Sequence, residues 1–96
     1  APAYFFLFME AMEKTGIELG LSQKVARKLI LQTALGAAKM AMENDIEPAE
    51  LRRRVTSPAG TTEAAINTFL EGDILGLFNK AMTSCVKRAK ELAKEA

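Results

Sequence analysis

Near its start the chain reads Tyr4-Phe5-Phe6-Leu7-Phe8-Met9-Glu10-Ala11-Met12, a stretch that is apolar on almost every side of the helix it predicts. A helix that packs against a core on one side needs only one apolar stripe. Residues 29–42 are also apolar on more than one side of their predicted helix, and only Gln32, Thr33 and Lys39 interrupt them with polar side chains. Each apolar side chain left in water forgoes roughly 1.5–3 kcal/mol, so a short chain needs help to cover two such helices. The sequence therefore predicts an intertwined helical homodimer.

Helix signals continue along the whole chain and predict an all-α bundle of about five helices in one domain, residues 1–96. The predicted helices run over about 2–19, 23–44, 48–56, 62–71 and from 74 to near the end. Their boundaries rest on a proline at a first turn, on two N-cap residues and on two terminal glycines: Pro2, Ser22, Asp73, Gly20 and Gly72. No stretch has the pattern of a strand.

The charge balance and the missing residue types exclude several classes of function. Lys and Arg total 13 against 12 Asp and Glu, a net charge of +1 that gives no field for nucleic acid or an anionic membrane. The chain has no histidine, which excludes Ser-His-Asp and Cys-His catalysis and the usual zinc sites. Its one cysteine, Cys85, lies on the apolar stripe of the fifth helix and is predicted to be a small core residue. One cysteine, and no apolar run near the roughly 20 residues of a membrane span, favour a soluble protein of the reducing cytoplasm.

The loop between the third and fourth predicted helices is the candidate ligand site. It reads Val55-Thr56-Ser57-Pro58-Ala59-Gly60-Thr61-Thr62 and leads directly into a helix. Pro58 ends the preceding helical pattern, Gly60 permits a turn or a close approach, and Thr61 or Thr62 can cap the next helix. The free amides of a helix N-terminus suit a carboxylate or a phosphate. A plain connection between two helices is the commoner role of such residues, and from the residues alone both readings stay open.

Four motifs, spread over the chain, carry a resemblance to a known family: Pro2-Ala3-Tyr4-Phe5-Phe6, Gln32-Thr33-Ala34-Leu35-Gly36-Ala37-Ala38-Lys39, Pro48-Ala49-Glu50-Leu51, and the loop with its V-T-S-P-x-G-T-T pattern. In this order they closely resemble the C-terminal domain of pyrroline-5-carboxylate reductase. Two departures stand at Ala1 and Ala59, where the family usually has glycine. Because alanine does not easily adopt a positive φ, the departure at Ala59 bears on the shape of the loop.

The resemblance implies an oxidoreductase of proline biosynthesis that transfers a hydride from NADPH or NADH to the C=N carbon of pyrroline-5-carboxylate, giving proline. It implies that an N-terminal Rossmann domain, absent from this chain, holds the cofactor, so the chain alone is expected to be inactive. It also implies a homodimer, with higher oligomers of dimers. The substrate carboxylate is assigned by resemblance to Ser57 and to the backbone N–H groups of Gly60, Thr61 and Thr62, with the Thr62 hydroxyl near the ring nitrogen. No catalytic side chain and no metal are implied.

Features of the chain itself agree with a missing upstream part. It starts without Met, almost at once inside a helical pattern, and its glycines form no G-x-G-x-x-G turn for a dinucleotide. The rival hypothesis is a non-catalytic helical dimerisation or interaction module. A third, a small nucleic-acid binder, rests only on Arg52-Arg53-Arg54, which a solvated helix face explains better. Neither the choice between NADH and NADPH nor the oligomer size follows from the sequence.

Overall fold

The structure, a computed structural model, describes residues 1–95, and these form five α-helices with no strand among them. The helices are α1 (Pro2–Glu18), α2 (Gln23–Glu43), α3 (Pro48–Arg54), α4 (Thr61–Glu71) and α5 (Ile74–Glu95). The predicted all-α class and the five helices are confirmed. The largest shift of a boundary is in α3, which ends two residues before the predicted end at Thr56.

The chain divides into two compact units, Ala1–Leu51 and the part from Arg52 onward. In the first unit α1 packs against α2, and in the second α4 packs against α5. The assignment of residues 1–96 to one domain stays a prediction.

Small residues and an ion pair hold α1 and α2 together. Ala26 of α2 is 1% exposed, and a Cβ placed on Gly16 of α1 would lie 3.5 Å from the Ala26 Cβ. Glycine and alanine at this contact let the two backbones approach closely. Beside it the Arg27 guanidinium donates to both carboxylate oxygens of Glu13, at 3.2 and 3.0 Å. This two-point geometry orients α2 on α1 as well as attracting it.

The predicted helix ends are mostly confirmed by their hydrogen bonds. The Ser22 hydroxyl accepts the Val25 N–H at 3.2 Å as the N-cap of α2. Gly20 follows α1 with φ of 110°, a conformation that suits glycine. Gly72 is the C-cap of α4, and the carboxylate of Asp73 accepts the Gly76 N–H at 3.2 Å in the first turn of α5.

Most large apolar side chains are left uncovered by the chain itself. On α1, Phe5, Phe6 and Leu7 are 65%, 66% and 59% exposed, and among residues 1–95 the only buried apolar residue is Ala26. The predicted surplus of apolar surface is therefore present in the structure. The core position predicted for Cys85 is wrong for the single chain: the thiol is exposed, as is every residue of α5 from 79 to 95.

The ion pair between α1 and α2 gives stability a dependence on pH. The hydrogen bond from Arg27 lowers the pKa of Glu13 below its ordinary value of 4.5, more than partial burial raises it. The pair therefore raises the free energy of unfolding above pH 4.5, and this stabilisation is lost as the pH falls through the lowered pKa of Glu13. We expect Glu13→Gln to lower the Tm at pH 7, and the difference from the parent to shrink steadily below pH 4.5.

Thermal unfolding at fixed protein concentration from pH 7 to pH 3 measures this effect. Glu10→Gln is the matched control, since Glu10 forms an ion pair with the exposed Lys14 of its own helix, at 3.4 Å. A Tm difference for Glu13→Gln that does not change with pH would contradict the assignment.

Candidate functional site

The loop that precedes α4 contains a tight turn over residues 57–60. The Gly60 N–H donates to the Ser57 carbonyl oxygen at 3.1 Å, which closes a four-residue turn with Pro58 and Ala59 at its centre. Ala59 has φ of 59°. Among the standard turns only type II combines proline at the second position with a positive φ at the third. The loop thus begins with a type II turn whose third residue is alanine, where glycine is the usual choice.

The carboxylate of Glu63 holds this turn. Its Oε1 accepts the Ala59 N–H at 3.1 Å, and the side chain is half-buried. Glu63 is the third residue of α4, so it reaches back over the helix start, as a glutamate does in a capping box. A left-handed conformation costs an L-residue roughly 1–2 kcal/mol, and a hydrogen bond to a charged group offsets a cost of that size.

The start of α4 presents backbone donors next to this turn. Gly60 is the N-cap with an extended backbone, φ −88° and ψ 179°, and makes no side-chain cap bond. Thr61 and Thr62 are the first two helical residues, whose amides have no acceptor within the helix. The prediction that Thr61 or Thr62 caps the helix is wrong, because the helix begins one residue earlier than expected and both threonines already lie inside it.

All four predicted site residues lie in one short segment of the chain, residues 57–62. Ser57, Thr61 and Thr62 are exposed, and Gly60 is half-buried. The Gly60 amide is engaged by Ser57, so it is not free in the way the sequence suggested. A Cβ on Gly60 would lie 3.2 Å from the Ser57 carbonyl oxygen, which is tight. Gly60 thus allows the chain to pass close to Ser57, while Thr61 and Thr62 carry the donors.

Glu63 was missed by the sequence reading, although its position is a signal. A glutamate three residues after an N-cap position commonly bonds back to the residues before the helix. Counted from Gly60 the spacing fits Glu63, whereas counted from a threonine N-cap it does not.

Other kinds of site are not formed in the described part of the chain. Residues 1–95 contain no group of three metal-binding side chains, and no helix among them is both long and apolar enough to cross a membrane. A shallow groove of about 600 Å³ is lined by residues of α2 alone, among them Lys24, Arg27 and Lys28. The Arg27 guanidinium in this groove is already paired with Glu13.

The sequence and the fold both match known proteins. The family model described as pyrroline-5-carboxylate reductase dimerisation matches residues 1–92. The chain belongs to this family. A pyrroline-5-carboxylate reductase of Pseudomonas aeruginosa is 55% identical over 94 residues, which cover 98% of this chain and 34% of that protein.

Two solved structures show the same fold. A pyrroline-5-carboxylate reductase from Coxiella burnetii matches with a TM-score of 0.92 and 50% identity, over 96% of this chain and 34% of the other. A pyrroline carboxylate reductase of Plasmodium falciparum, solved with NADP bound, matches with a TM-score of 0.82 and 29% identity. The match covers 90% of this chain and 34% of the other. This chain therefore spans about a third of the length of these reductases.

The turn makes a prediction about stability at Ala59. Ala59→Gly removes the strain of a positive φ, at the smaller entropic cost of a more flexible unfolded chain. We expect the free energy of unfolding to rise by about 0.5–1 kcal/mol. Chemical denaturation at fixed protein concentration measures the change.

Ala64→Gly is the control, because the same substitution inside α4 should lower the free energy of unfolding by about 1 kcal/mol. If Ala59→Gly lowers the free energy of unfolding as much as Ala64→Gly does, Ala59 does not adopt the positive φ.

Proposed function

We propose that this chain is the dimerisation and substrate-binding domain of an oxidoreductase that reduces 1-pyrroline-5-carboxylate to L-proline with NADPH or NADH. The match of residues 1–92 to the dimerisation family is the observation that carries this proposal. The reductases named above support the reaction, since the chain aligns with them over nearly its whole length.

The cofactor would be held outside this chain. Residues 1–95 contain no strand, and no G-x-G-x-x-G turn occurs in the sequence, so the residues present do not fit a dinucleotide site. A nicotinamide cofactor supplies the hydride in such reactions, and the protein binds and orients the substrate. The part that this chain plays is therefore binding and orientation.

The substrate carboxylate would bind at the start of α4. The amides of Thr61 and Thr62 and the hydroxyl of Ser57 are the donors, and the positive end of the α4 dipole favours the negative charge. Gly60 keeps the chain close to Ser57 at this point. The Thr62 hydroxyl would lie near the ring nitrogen. Fixing both ends of a small ring directs one carbon towards the hydride donor, and this orientation is a large part of catalysis.

Two copies of the chain would cover each other's apolar helices. Phe5, Phe6 and Leu7 of α1 are mostly exposed in one chain, and the matched family is described by its dimerisation. Larger assemblies of such dimers are part of the proposal.

We place the protein in the cytoplasm, since the only cysteine, Cys85, has no partner for an internal disulfide.

The assigned role of Thr62 can be tested by its removal. In the reductase that contains this chain, Thr62→Ala should raise the KM for pyrroline-5-carboxylate about tenfold and lower kcat/KM, because a hydrogen bond to the substrate is lost. Steady-state kinetics with the cofactor saturating measure both constants.

Thr68→Ala is the matched control, since the Thr68 hydroxyl bonds to the Ala64 carbonyl within the same helix, at 3.1 Å. Kinetics of Thr62→Ala equal to those of Thr68→Ala would remove Thr62 from the site. If proline and cyclic carboxylate analogues also fail to bind, the rival hypothesis of a non-catalytic helical module is favoured.

The dimer can be tested by placing a charge on the apolar surface of α1. Phe6 is 66% exposed in the single chain, and a glutamate there would be buried without a partner in the dimer. We expect Phe6→Glu to convert the dimer to monomers or unfolded chains in sedimentation velocity. Lys14→Glu, at a side chain 72% exposed on the same helix, should leave the dimer intact. A Phe6→Glu protein that sediments like the parent would contradict the proposed interface.

A further inference from the structure

We propose that Glu63 is a positioning residue of the substrate loop, which selects the type II form of the 57–60 turn and so sets the loop for the substrate carboxylate. This inference rests on the proposed function of the loop. Its basis is the hydrogen bond from the Ala59 N–H to Glu63 Oε1, at 3.1 Å, at a residue with φ of 59°.

Type I and type II turns differ mainly by a flip of the central peptide, here the bond between Pro58 and Ala59. Both types accept proline at the second position, but type I gives the third residue a negative φ. Alanine prefers that negative φ, so the sequence of the turn itself favours type I. An interaction from outside the turn must therefore stabilise the type II form.

Glu63 provides that interaction. In the type II form the central peptide directs its N–H to the carboxylate, which accepts it. A flip to type I would remove this donor and turn the Pro58 carbonyl towards a negatively charged carboxylate. Since Glu63 lies in the first turn of α4, its charge is also favourable to the helix dipole. The helix thus holds the turn that precedes it.

The turn matters for binding because it leads from Ser57 to the amides of Thr61 and Thr62. A flipped central peptide changes the path of the chain between these groups. If only part of the molecules have the competent turn, the apparent affinity falls by that fraction while the bound complex is unchanged. Loss of Glu63 should therefore raise KM and spare kcat.

Three variants of the reductase that contains this chain test the inference. Glu63→Ala should raise the KM for pyrroline-5-carboxylate about three- to tenfold, with kcat within about twofold of the parent. Glu63→Gln keeps an acceptor oxygen and should return KM close to that of the parent. Ala59→Gly combined with Glu63→Ala should also restore KM, because glycine adopts the type II turn without help.

Glu71→Ala is the control, since it removes the same charge from the other end of α4, and it should leave KM unchanged. A Glu63→Ala enzyme with the KM of the Glu71→Ala enzyme, while Thr62→Ala still raises KM, would overturn the role of Glu63 alone. Failure of the added Ala59→Gly to lower the KM of Glu63→Ala would also overturn it. If neither Thr62→Ala nor Glu63→Ala alters KM, the proposed function of the loop fails first.

A crystal structure of Glu63→Ala gives a readout that does not depend on activity. We expect residue 59 to have a negative φ in that variant and a positive φ in Glu63→Gln. A positive φ at Ala59 without the glutamate would overturn the inference.

Discussion

Uncovered apolar surface on the helices is the constraint on which the rest of the structure depends. Within residues 1–95 the one buried apolar side chain is that of Ala26, whereas Phe5 and Phe6 of α1 are 65% and 66% exposed in the single chain. Such a core is too small to offset the entropy of ordering the chain. If a second copy covers this surface, folding and association are linked, and stability would depend on protein concentration. In a two-fold dimer each chain covers the other with the same surface. The chain belongs to a dimerisation family, which agrees with the covering of this apolar surface by a second copy.

A fixed helix start matters because the proposed site binds an anion with peptide groups. The amides of Thr61 and Thr62 cannot move independently, as long side chains do, so their direction is that of α4. Binding then costs little conformational entropy. The same feature explains why the absence of histidine does not conflict with an enzyme. When a cofactor carries the hydride, the protein needs donors in fixed positions more than groups that exchange protons.

The sequence predicted features that depend on local chemistry. Ser22 and Gly72 were identified from cap chemistry alone, and the 3.6-residue period of apolar residues predicted α5. The errors have a different origin. Cys85 lies on a regular apolar stripe, but whether a stripe is covered depends on a partner that periodicity does not describe. The start of α4 was misplaced by one residue because Gly60, Thr61 and Thr62 are all residue types that can stand at an N-cap.

Ala59 shows how strain and function can be balanced within one short segment. A glycine would adopt φ of 59° freely, but it would also leave the turn free to sample other conformations. Alanine restricts those conformations and by itself favours the type I turn, so the type II turn depends on the neighbouring carboxylate. Backbone strain of this kind persists only where the surroundings over-determine it, and such positions cluster at ligand sites. The turn is therefore set by α4 as well as by its own residues, so loop and helix form a single unit at the candidate site.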